Sequence, residues 1–407
     1  MLKAIGRCLW PKAFDESPYP VDNRNVAAGP YYEILGRLGN GGMGEILLAR
    51  NTTTRDLSRY VVLKRMAAAN DYNDDALAAF LYEARISFGL SHPNIAQVYD
   101  FHEFAGVYYL AIEYIPGVSV LQLLRKATAS KHRVPIAHIL TIAVGACAGL
   151  HYSHTRCAND GGPHDIIHRD ISPSNIMLSF DGAVKLIDFG IAKSHDDNDL
   201  PKSGTRKGLI KGKAGYLSPE RIVGSPPVDR RCDIFSLGVV LWELLAGRGL
   251  FQRPTEFATL EATLHETPPP LAQLRPGIPS SIEAVIMRAI NKYPSQRFDS
   301  AANMLVALES AAHVAQISLS NWNLGAYLKQ LCRVDNVDSF DNVIAQPPAR
   351  PQPELFGARG TDTDGFLPDE QAITPVWDLP LQAARDGVTE LIDFRHASHD
   401  DREISSS

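Results

Sequence analysis

The sequence has little cysteine and no surplus of positive charge. Only five of its 407 residues are cysteine, and no two of them form a Cys-x-x-Cys pair. This spacing argues against a zinc ribbon or a disulfide framework and indicates a reducing compartment. Lysine and arginine together number 40 against 46 aspartates and glutamates, a net charge of −6. Because bulk attraction to nucleic acid needs the opposite balance, we expect no nucleic-acid partner.

One long stretch, residues 134–155, contains no charged side chain. Its length would suffice to cross a bilayer. However, Pro135, His138 and further polar residues within it are costly in lipid, which favours a buried helix of a large soluble domain. Residues 1–14 have too short an apolar core for a secretory signal. The sequence therefore predicts a cytoplasmic protein without membrane insertion.

The two ends of the chain differ in composition from its middle. Residues 336–407 contain fourteen acidic residues against five arginines, a charge of −9, together with seven prolines. Such a segment cannot bury enough apolar surface to offset its chain entropy, so we predict an acidic, disordered tail. Residues 1–30, with four prolines, are predicted to be a flexible segment, and residues 314–335 a helical extension.

Between these ends, short strands come first and longer helices follow. Apolar runs bounded by turn residues predict strands over 32–38, 46–49, 60–66, 98–104 and 107–113. A helical period predicts a helix over 74–90 and, after Pro116-Gly117, helices over 119–127, 136–155, 230–246, 281–291 and 300–313. A small sheet-rich region followed by a larger helical one predicts an α+β fold.

The segment Gly39-Asn40-Gly41-Gly42-Met43-Gly44 is a G-x-G-x-x-G motif. A dinucleotide-binding fold needs a helix directly after these glycines, whereas Glu45-Ile46-Leu47-Leu48 has the composition of a strand. A plain hairpin turn is one interpretation. The other is a flap over a nucleotide, because backbone amides without a Cβ can approach phosphates closely.

Two further motifs carry charged side chains. Lys64 ends the apolar strand Val61-Val62-Leu63, and Glu83 lies beside the apolar face of the helix predicted over 74–90, so the two could form an ion pair. A solvated lysine at a strand edge is the simpler alternative. Downstream, His168-Arg169-Asp170-Ile171-Ser172-Pro173-Ser174-Asn175 is followed by Asp188-Phe189-Gly190. Their carboxylate and amide oxygens are the hard ligands that Mg²⁺ takes together with phosphates.

Taken in this order, the motifs resemble those of a eukaryotic-type (Hanks-type) bacterial serine/threonine protein kinase over residues 31–313. The resemblance implies a two-lobed fold, with a small sheet-rich N-terminal lobe at 31–115 and a larger helical C-terminal lobe at 116–313. It also implies ATP and Mg²⁺ as cofactors, and protein substrates that include the chain itself.

The resemblance assigns roles to individual residues. Asp170 is the implied catalytic base, and Lys64 holds the ATP phosphates with Glu83 as its partner. Asn175 and Asp188 are the implied Mg²⁺ ligands. The implied ATP-binding residues are Leu38, Gly39, Asn40, Gly41, Gly42, Met43, Gly44, Glu45, Ile46, Lys64, Glu113 and Ile115, of which Glu113 to Ile115 match the hinge beside adenine.

Other matches concern the helical lobe. Glu220 ends a segment that resembles the close of an activation loop, and Arg297 resembles its partner. Asp233 resembles the aspartate that anchors the catalytic loop. Arg169 resembles an arginine that often pairs with a phosphate on the activation loop, from which we hypothesise autophosphorylation at Ser203 or Thr205.

The chain departs from the family pattern at two positions. Ser172 stands where serine/threonine kinases usually carry a lysine, and Lys213 stands where they usually carry a threonine. One hypothesis is that Lys213 supplies the charge that Ser172 cannot, as a further catalytic residue; the other is that Lys213 points to solvent. Two functional alternatives also stay open, a pseudokinase scaffold and a tyrosine or dual-specificity kinase. The sequence leaves the oligomeric state open.

Overall fold

The structure has a sheet-rich region followed by a helical one. It is a computed structural model that describes residues 28, 31–41, 44–52, 59–66, 80–81, 84–156, 166–189 and 213–332. All of these residues lie in one compact unit, Met1–Ala345. Of the predicted flexible segment 1–30 only residue 28 is described, and the predicted acidic tail 336–407 lies outside the described residues.

The N-terminal lobe is built on a five-stranded antiparallel sheet with strand order β1-β2-β3-β5-β4. Its strands are β1 (Tyr32–Gly41), β2 (Gly44–Asn51), β3 (Arg59–Met66), β4 (Val98–Phe104) and β5 (Val107–Glu113). The sheet keeps chain neighbours paired, except that β5 inserts between β3 and β4. Strand β3 therefore lies at its centre.

The alternation of side chains along β3 decides which residue faces which layer. Val61 and Leu63 belong to one apolar cluster, whereas Met66 packs on the other face with Phe80 and Val98. Successive side chains of a strand point to opposite faces, so Lys64 shares the face of Met66. Residues 80–81 and 84–88 are helical and cover that face.

The C-terminal lobe is mainly helical. A short sheet of β6 (Gly117–Ser119), β7 (Ile176–Ser179) and β8 (Val184–Leu186) lies at its start. Its helices are α1 (Val120–Ala129), α2 (Ile136–His154), α3 (Pro219–Val223), α4 (Arg231–Ala246), α5 (Glu256–His265), α6 (Leu271–Leu274), α7 (Ser280–Ala289), α8 (Ala301–Val314) and α9 (Asn321–Cys332). Single 3-10 turns occur at Pro173–Asn175, Ala214–Tyr216 and Pro294–Gln296.

Helices α2 and α4 form the centre of this lobe. Every residue of α4 from Cys232 to Leu245 is buried, as expected for a helix that is apolar on all sides. Among the described residues, α2 is the one helix long and apolar enough to span a membrane, and more than half of that stretch is buried. It packs against α4 and α8 in the core.

The last helix of the described residues, α9, packs against the turn between β7 and β8. Gly182 has a φ of +87°, and a Cβ at this position would overlap the carbonyl oxygen of Asn321. Tyr327 stacks on His138 of α2 with ring centroids 4.7 Å apart. On the other side of the same turn, the Phe180 N–H donates to the Pro116 carbonyl at 2.9 Å.

The two-lobed α+β fold predicted from the sequence is confirmed. The strands over 98–104 and 107–113 have the predicted bounds, and the five helices predicted after Pro116 differ from those observed by up to two residues at each end. The helix predicted over 74–90 is described only at residues 80–81 and 84–88.

Candidate active site

One buried carboxylate on α4 accepts hydrogen bonds from the segment around Asp170 and fixes its position. Asp233 accepts hydrogen bonds from the backbone N–H groups of His168 and Arg169 and from His154 Nε2, each at 2.8 Å. Burial alone would raise the pKa of Asp233, but the hydrogen bond and charge of His154, with help from His168, hold it below its usual value. Arg169 has a φ of +62°, and these bonds stabilise that left-handed backbone immediately before Asp170.

His168 fixes the loop through its ring as well as its backbone. Burial lowers the pKa of the imidazole, so the ring is neutral near pH 7. Its Nε2–H donates to the Ile187 carbonyl at 3.2 Å, and its Nδ1 accepts from the Asp170 N–H at 3.3 Å. A neutral ring can make this pair of bonds because one nitrogen donates and the other accepts.

The Asp170 carboxylate is oriented by Asn175. The Asn175 Nδ2 donates to Asp170 Oδ2 and to the Asp170 backbone carbonyl, both at 2.8 Å. The intervening serines bond to each other, with Ser172 Oγ and Ser174 Oγ 3.0 Å apart. The Asp170 side chain is only 12% exposed. A carboxylate held this way can accept a proton in one defined direction.

Asp188 is joined to the same loop through its neighbour. The Ile187 N–H donates to the Asn175 carbonyl at 3.0 Å, and the Ile187 carbonyl receives the His168 bond described above. Asp188 itself has a φ of +53°. Its Oδ1 lies 3.4 Å from Lys64 Nζ. The structure therefore brings Lys64, Asn175 and Asp188 into one cleft with Asp170.

Lys64 reaches this cleft from the sheet. In the strand register it pairs with Ile46 on β2 and with Leu110 on β5, and the residue is only 6% exposed. Burying a lysine is costly unless an anion meets it, and Asp188 does so here. The alternative of a solvated edge lysine is thus wrong. Glu83, its other predicted partner, lies outside the described residues.

The glycine motif forms the hairpin between β1 and β2. The register pairs Gly39 with Ile46, Asn40 with Glu45 and Gly41 with Gly44. Gly42 and Met43, at the tip, lie outside the described residues, as does the side chain of Asn40. The strand after the motif excludes the dinucleotide-binding alternative, as the sequence predicted.

Two features fix the base of this hairpin. A Cβ at Gly44 would overlap the carbonyl oxygen of Arg65 on β3, so the close approach of the strands needs glycine. Glu45 accepts from Arg65 Nη1 at 2.8 Å and lies 3.6 Å from Arg37. Leu38 lies at a register irregularity between Arg37 and Gly39.

The predicted hinge follows β5. The Glu113 carboxylate accepts from Lys185 Nζ at 2.9 Å and from the Gln97 N–H at 3.0 Å. The bond from Lys185 links the Glu113 side chain to the C-terminal lobe. Ile115 is buried, with 6% exposure. The structure places both residues at the junction of the lobes, and the contact with Lys185 has no signal in the local sequence.

Lys213 approaches the site from a distant part of the chain. Its Nζ donates to Asp170 Oδ2, across 43 residues of sequence. Lys213 precedes the buried 3-10 turn Ala214–Tyr216. The Tyr216 hydroxyl donates to Glu243 Oε2 at 2.7 Å, and the Tyr216 carbonyl accepts from Ser236 Oγ at 2.7 Å. Burial raises the pKa of both the Tyr216 hydroxyl and the Glu243 carboxyl. Lys213 thus lies against Asp170 instead of pointing away from the site.

A buried ion pair ends this segment. Arg297 donates twice to the Glu220 carboxylate, with Nη1–Oε1 and Nη2–Oε2 both 2.8 Å. The two side chains are almost completely buried. The neighbouring Arg221 donates to the Arg169 carbonyl, a link to the catalytic loop that the sequence reasoning missed. Ser203 and Thr205 lie outside the described residues.

Comparison with known proteins agrees with this geometry. The profile of the protein kinase domain matches residues 32–307, more than half of the chain. The chain belongs to the protein kinase family. The predicted resemblance to bacterial Hanks-type kinases is confirmed.

The similarity to several relatives covers the kinase domain but less than half of each relative's length. Tyrosine-protein kinase MasK of Myxococcus xanthus is 38% identical over 301 residues, which is 74% of this chain and 46% of that protein. Serine/threonine-protein kinase PknB of Mycobacterium leprae is 36% identical over 277 residues, 67% of this chain and 42% of that protein. The chain therefore spans less than half the length of these curated relatives.

A solved structure supports the fold. The kinase domain of PknI from Mycobacterium tuberculosis is 26% identical and has a TM-score of 0.51, covering 71% of this chain and all of that domain. The matched part of this chain therefore has the same two-lobed architecture as the kinase domain of PknI.

The donor set in the cleft fits a magnesium ion. Asp188 and Asn175 offer a carboxylate and an amide oxygen, both hard donors. Among the described residues no group of three His, Cys, Asp or Glu side chains surrounds a common point. Mg²⁺ usually takes only one or two protein carboxylates and completes its shell with phosphates and water, so two donors beside a phosphate site suffice.

Proposed function

We propose that this chain is an ATP- and Mg²⁺-dependent serine/threonine protein kinase of bacterial signalling, acting in the cytoplasm on protein substrates and on itself. The observation that supports this proposal most directly is that two pairs of side chains, Asn175 with Asp170 and Lys64 with Asp188, lie close together. Asn175 orients Asp170 at 2.8 Å, and Lys64 lies 3.4 Å from Asp188. Both pairs are joined through the Ile187 N–H bond to the Asn175 carbonyl.

Each residue takes the role that the resemblance to protein kinases implies, and its surroundings are compatible with that role. Asp170 accepts the proton of the substrate hydroxyl as the hydroxyl oxygen bonds to the γ-phosphorus; the bond from phosphorus to the β,γ-bridging oxygen breaks, and ADP leaves. Lys64 holds the phosphates, and Glu113 to Ile115 offer hinge backbone to adenine. Asn175 and Asp188 would hold Mg²⁺, which neutralises phosphate charge when bound.

Specificity for serine and threonine is supported by relatives named as serine/threonine kinases at 30–36% identity. A tyrosine kinase is the second candidate, because the relative with 38% identity is named a tyrosine-protein kinase. A scaffold without transfer is disfavoured, since Lys64, Asp170, Asn175 and Asp188 are all present.

Incubation with radiolabelled ATP and Mg²⁺, followed by acid hydrolysis and separation of phosphoamino acids, tests the proposal. We expect phosphoserine or phosphothreonine from the natural chain and none from Asp170→Asn, with ATP affinity retained in that variant. Phosphotyrosine alone would establish the second candidate. Absence of label from the natural chain would leave the scaffold interpretation, and undiminished label in Asp170→Asn would remove Asp170 from the mechanism.

A further inference from the structure

The catalytic loop meets a positive charge that comes from outside the loop. Residues 170–179 contain no lysine or arginine, and the position two residues after Asp170 is Ser172. The Ser172 hydroxyl is 3.0 Å from Ser174 Oγ, and Ser172 is buried. Lys213 Nζ donates to Asp170 Oδ2. The ammonium group that contacts Asp170 therefore comes from a segment outside the catalytic loop.

The backbone of Lys213 is fixed by buried groups. Its carbonyl accepts from the Tyr216 N–H at 3.1 Å, which closes the 3-10 turn. Tyr216 is in turn bonded to Glu243 and Ser236 on α4, as described above. The same helix carries Asp233, which holds the backbone before Asp170. Because α4 positions both partners, their contact follows from the core packing.

Lys213 differs from an ordinary surface lysine in the burial of the carboxylate that it contacts. Its side chain is 40% exposed, but the Asp170 side chain that it meets is only 12% exposed. The pair Lys329–Asp181 gives a comparison, since its atoms are 3.6 Å apart and its side chains 35% and 72% exposed. Solvent screens the second pair far more than the first.

Charge balance favours a further cation beside Asp170 during phosphoryl transfer. Asp170 is an anion, and the transferring group carries negative oxygens toward it. Their repulsion opposes the reaction unless a positive group lies between or beside them. We infer that Lys213 is this cation: its ammonium group orients Asp170 before transfer and neutralises phosphoryl charge during it. This inference rests on the proposed kinase function.

Charge-removing and charge-moving variants test the role of Lys213. Lys213→Met keeps an unbranched side chain of nearly the same length but removes the charge, and we expect it to lower kcat at saturating ATP by on the order of a hundredfold. The affinity for ATP should stay within twofold, because Lys64 and the glycine hairpin hold the nucleotide. Lys213→Arg should retain most of kcat. Lys213→Met combined with Ser172→Lys should recover about tenfold, since the charge returns from the loop itself.

A binding measurement gives a readout that does not depend on turnover. The natural chain should bind Mg²⁺-ADP with aluminium fluoride more tightly than Mg²⁺-ADP alone, because the fluoride complex mimics the transferring group. Lys213→Met should lose most of this preference. Lys329→Met, which removes a lysine from the more exposed pair, is the matched control and should leave both kcat and this preference unchanged.

Three results would overturn the inference while the natural chain is active: kcat within threefold of normal in Lys213→Met, an unchanged preference for aluminium fluoride, or equal losses in kcat and ATP affinity. Thermal unfolding of each variant identifies any loss of kcat that comes from misfolding. If Lys213→Met is misfolded, the test uses Lys213→Arg and the double variant instead. Inactivity of both of these variants in the folded state contradicts the inference. An inactive natural chain would instead refute the proposed function.

Discussion

Replacing Glu220 with glutamine should destabilise the helical lobe strongly. The substitution keeps the shape of the side chain but removes the charge opposite Arg297, whose side chain has no exposed surface. One of the two bonds at 2.8 Å is then replaced by a bond to a neutral amide oxygen, and at the other the amide NH₂ of glutamine faces an N–H donor of Arg297. Loss of one partner of a buried pair costs about 3–5 kcal/mol. Since glutamine keeps one oxygen acceptor, we expect about 3 kcal/mol.

This loss is large relative to the stability of a domain, which is about 5–15 kcal/mol. Urea titration followed by far-ultraviolet circular dichroism measures it, with the free energy of unfolding taken from midpoint and slope. The matched control is Glu266→Gln, because Glu266 pairs with Arg253 at the surface, where the side chains are 51% and 32% exposed. That change should cost less than about 1 kcal/mol. If Glu220→Gln costs no more than the control, burial of the pair does not provide the expected stabilisation.

Three further predictions follow from the described contacts. Gly44→Val should raise the KM for ATP at least about tenfold, because its Cβ would push β2 away from Arg65; an unchanged KM in steady-state kinetics would contradict this. Asp233 has a lowered pKa, so its stabilising effect is present above about pH 4 and is lost as the pH falls; the difference in melting temperature between the natural chain and Asp233→Asn should shrink from pH 6 to pH 3. Burial lowers the pKa of Lys292 to about 8, so above that pH the folded chain releases a proton that the unfolded chain retains to about pH 10. The free energy of unfolding of the natural chain, relative to that of Lys292→Met, should therefore rise between about pH 8 and pH 10. A difference that does not change with pH would argue against this effect of burial.

The strands and the helical core were predictable because their signals are local. The runs over 98–104 and 107–113 alternate around Ala105-Gly106, whose positive φ angles make the tight turn. Likewise, α4 is apolar on all sides, which leaves burial as its one stable placement. In contrast, β6 and β8 have three residues each, too few for a period to be recognised.

The long-range contacts of the site were harder to predict. His154 ends an apolar helix and Asp233 begins another, and nothing near either residue shows that they meet across 79 positions. Arg221 and Lys185 also bind partners that only the packed fold brings near. A contact of Lys213 with the catalytic loop could be hypothesised because two departures from the family pattern occurred together. Single substitutions give no comparable signal.

The packing of α9 moves the end of the folded unit beyond the end of the family match. The kinase profile ends at residue 307, within α8, whereas Leu324 and Leu328 of α9 are fully buried. A fragment cut at the profile's limit would expose the surface that these leucines cover and the turn at Gly182. Since that turn bonds to Pro116, directly after the predicted hinge, we expect shortening the chain there to disturb the junction of the two lobes. The smallest piece suitable for isolated study therefore extends through Cys332.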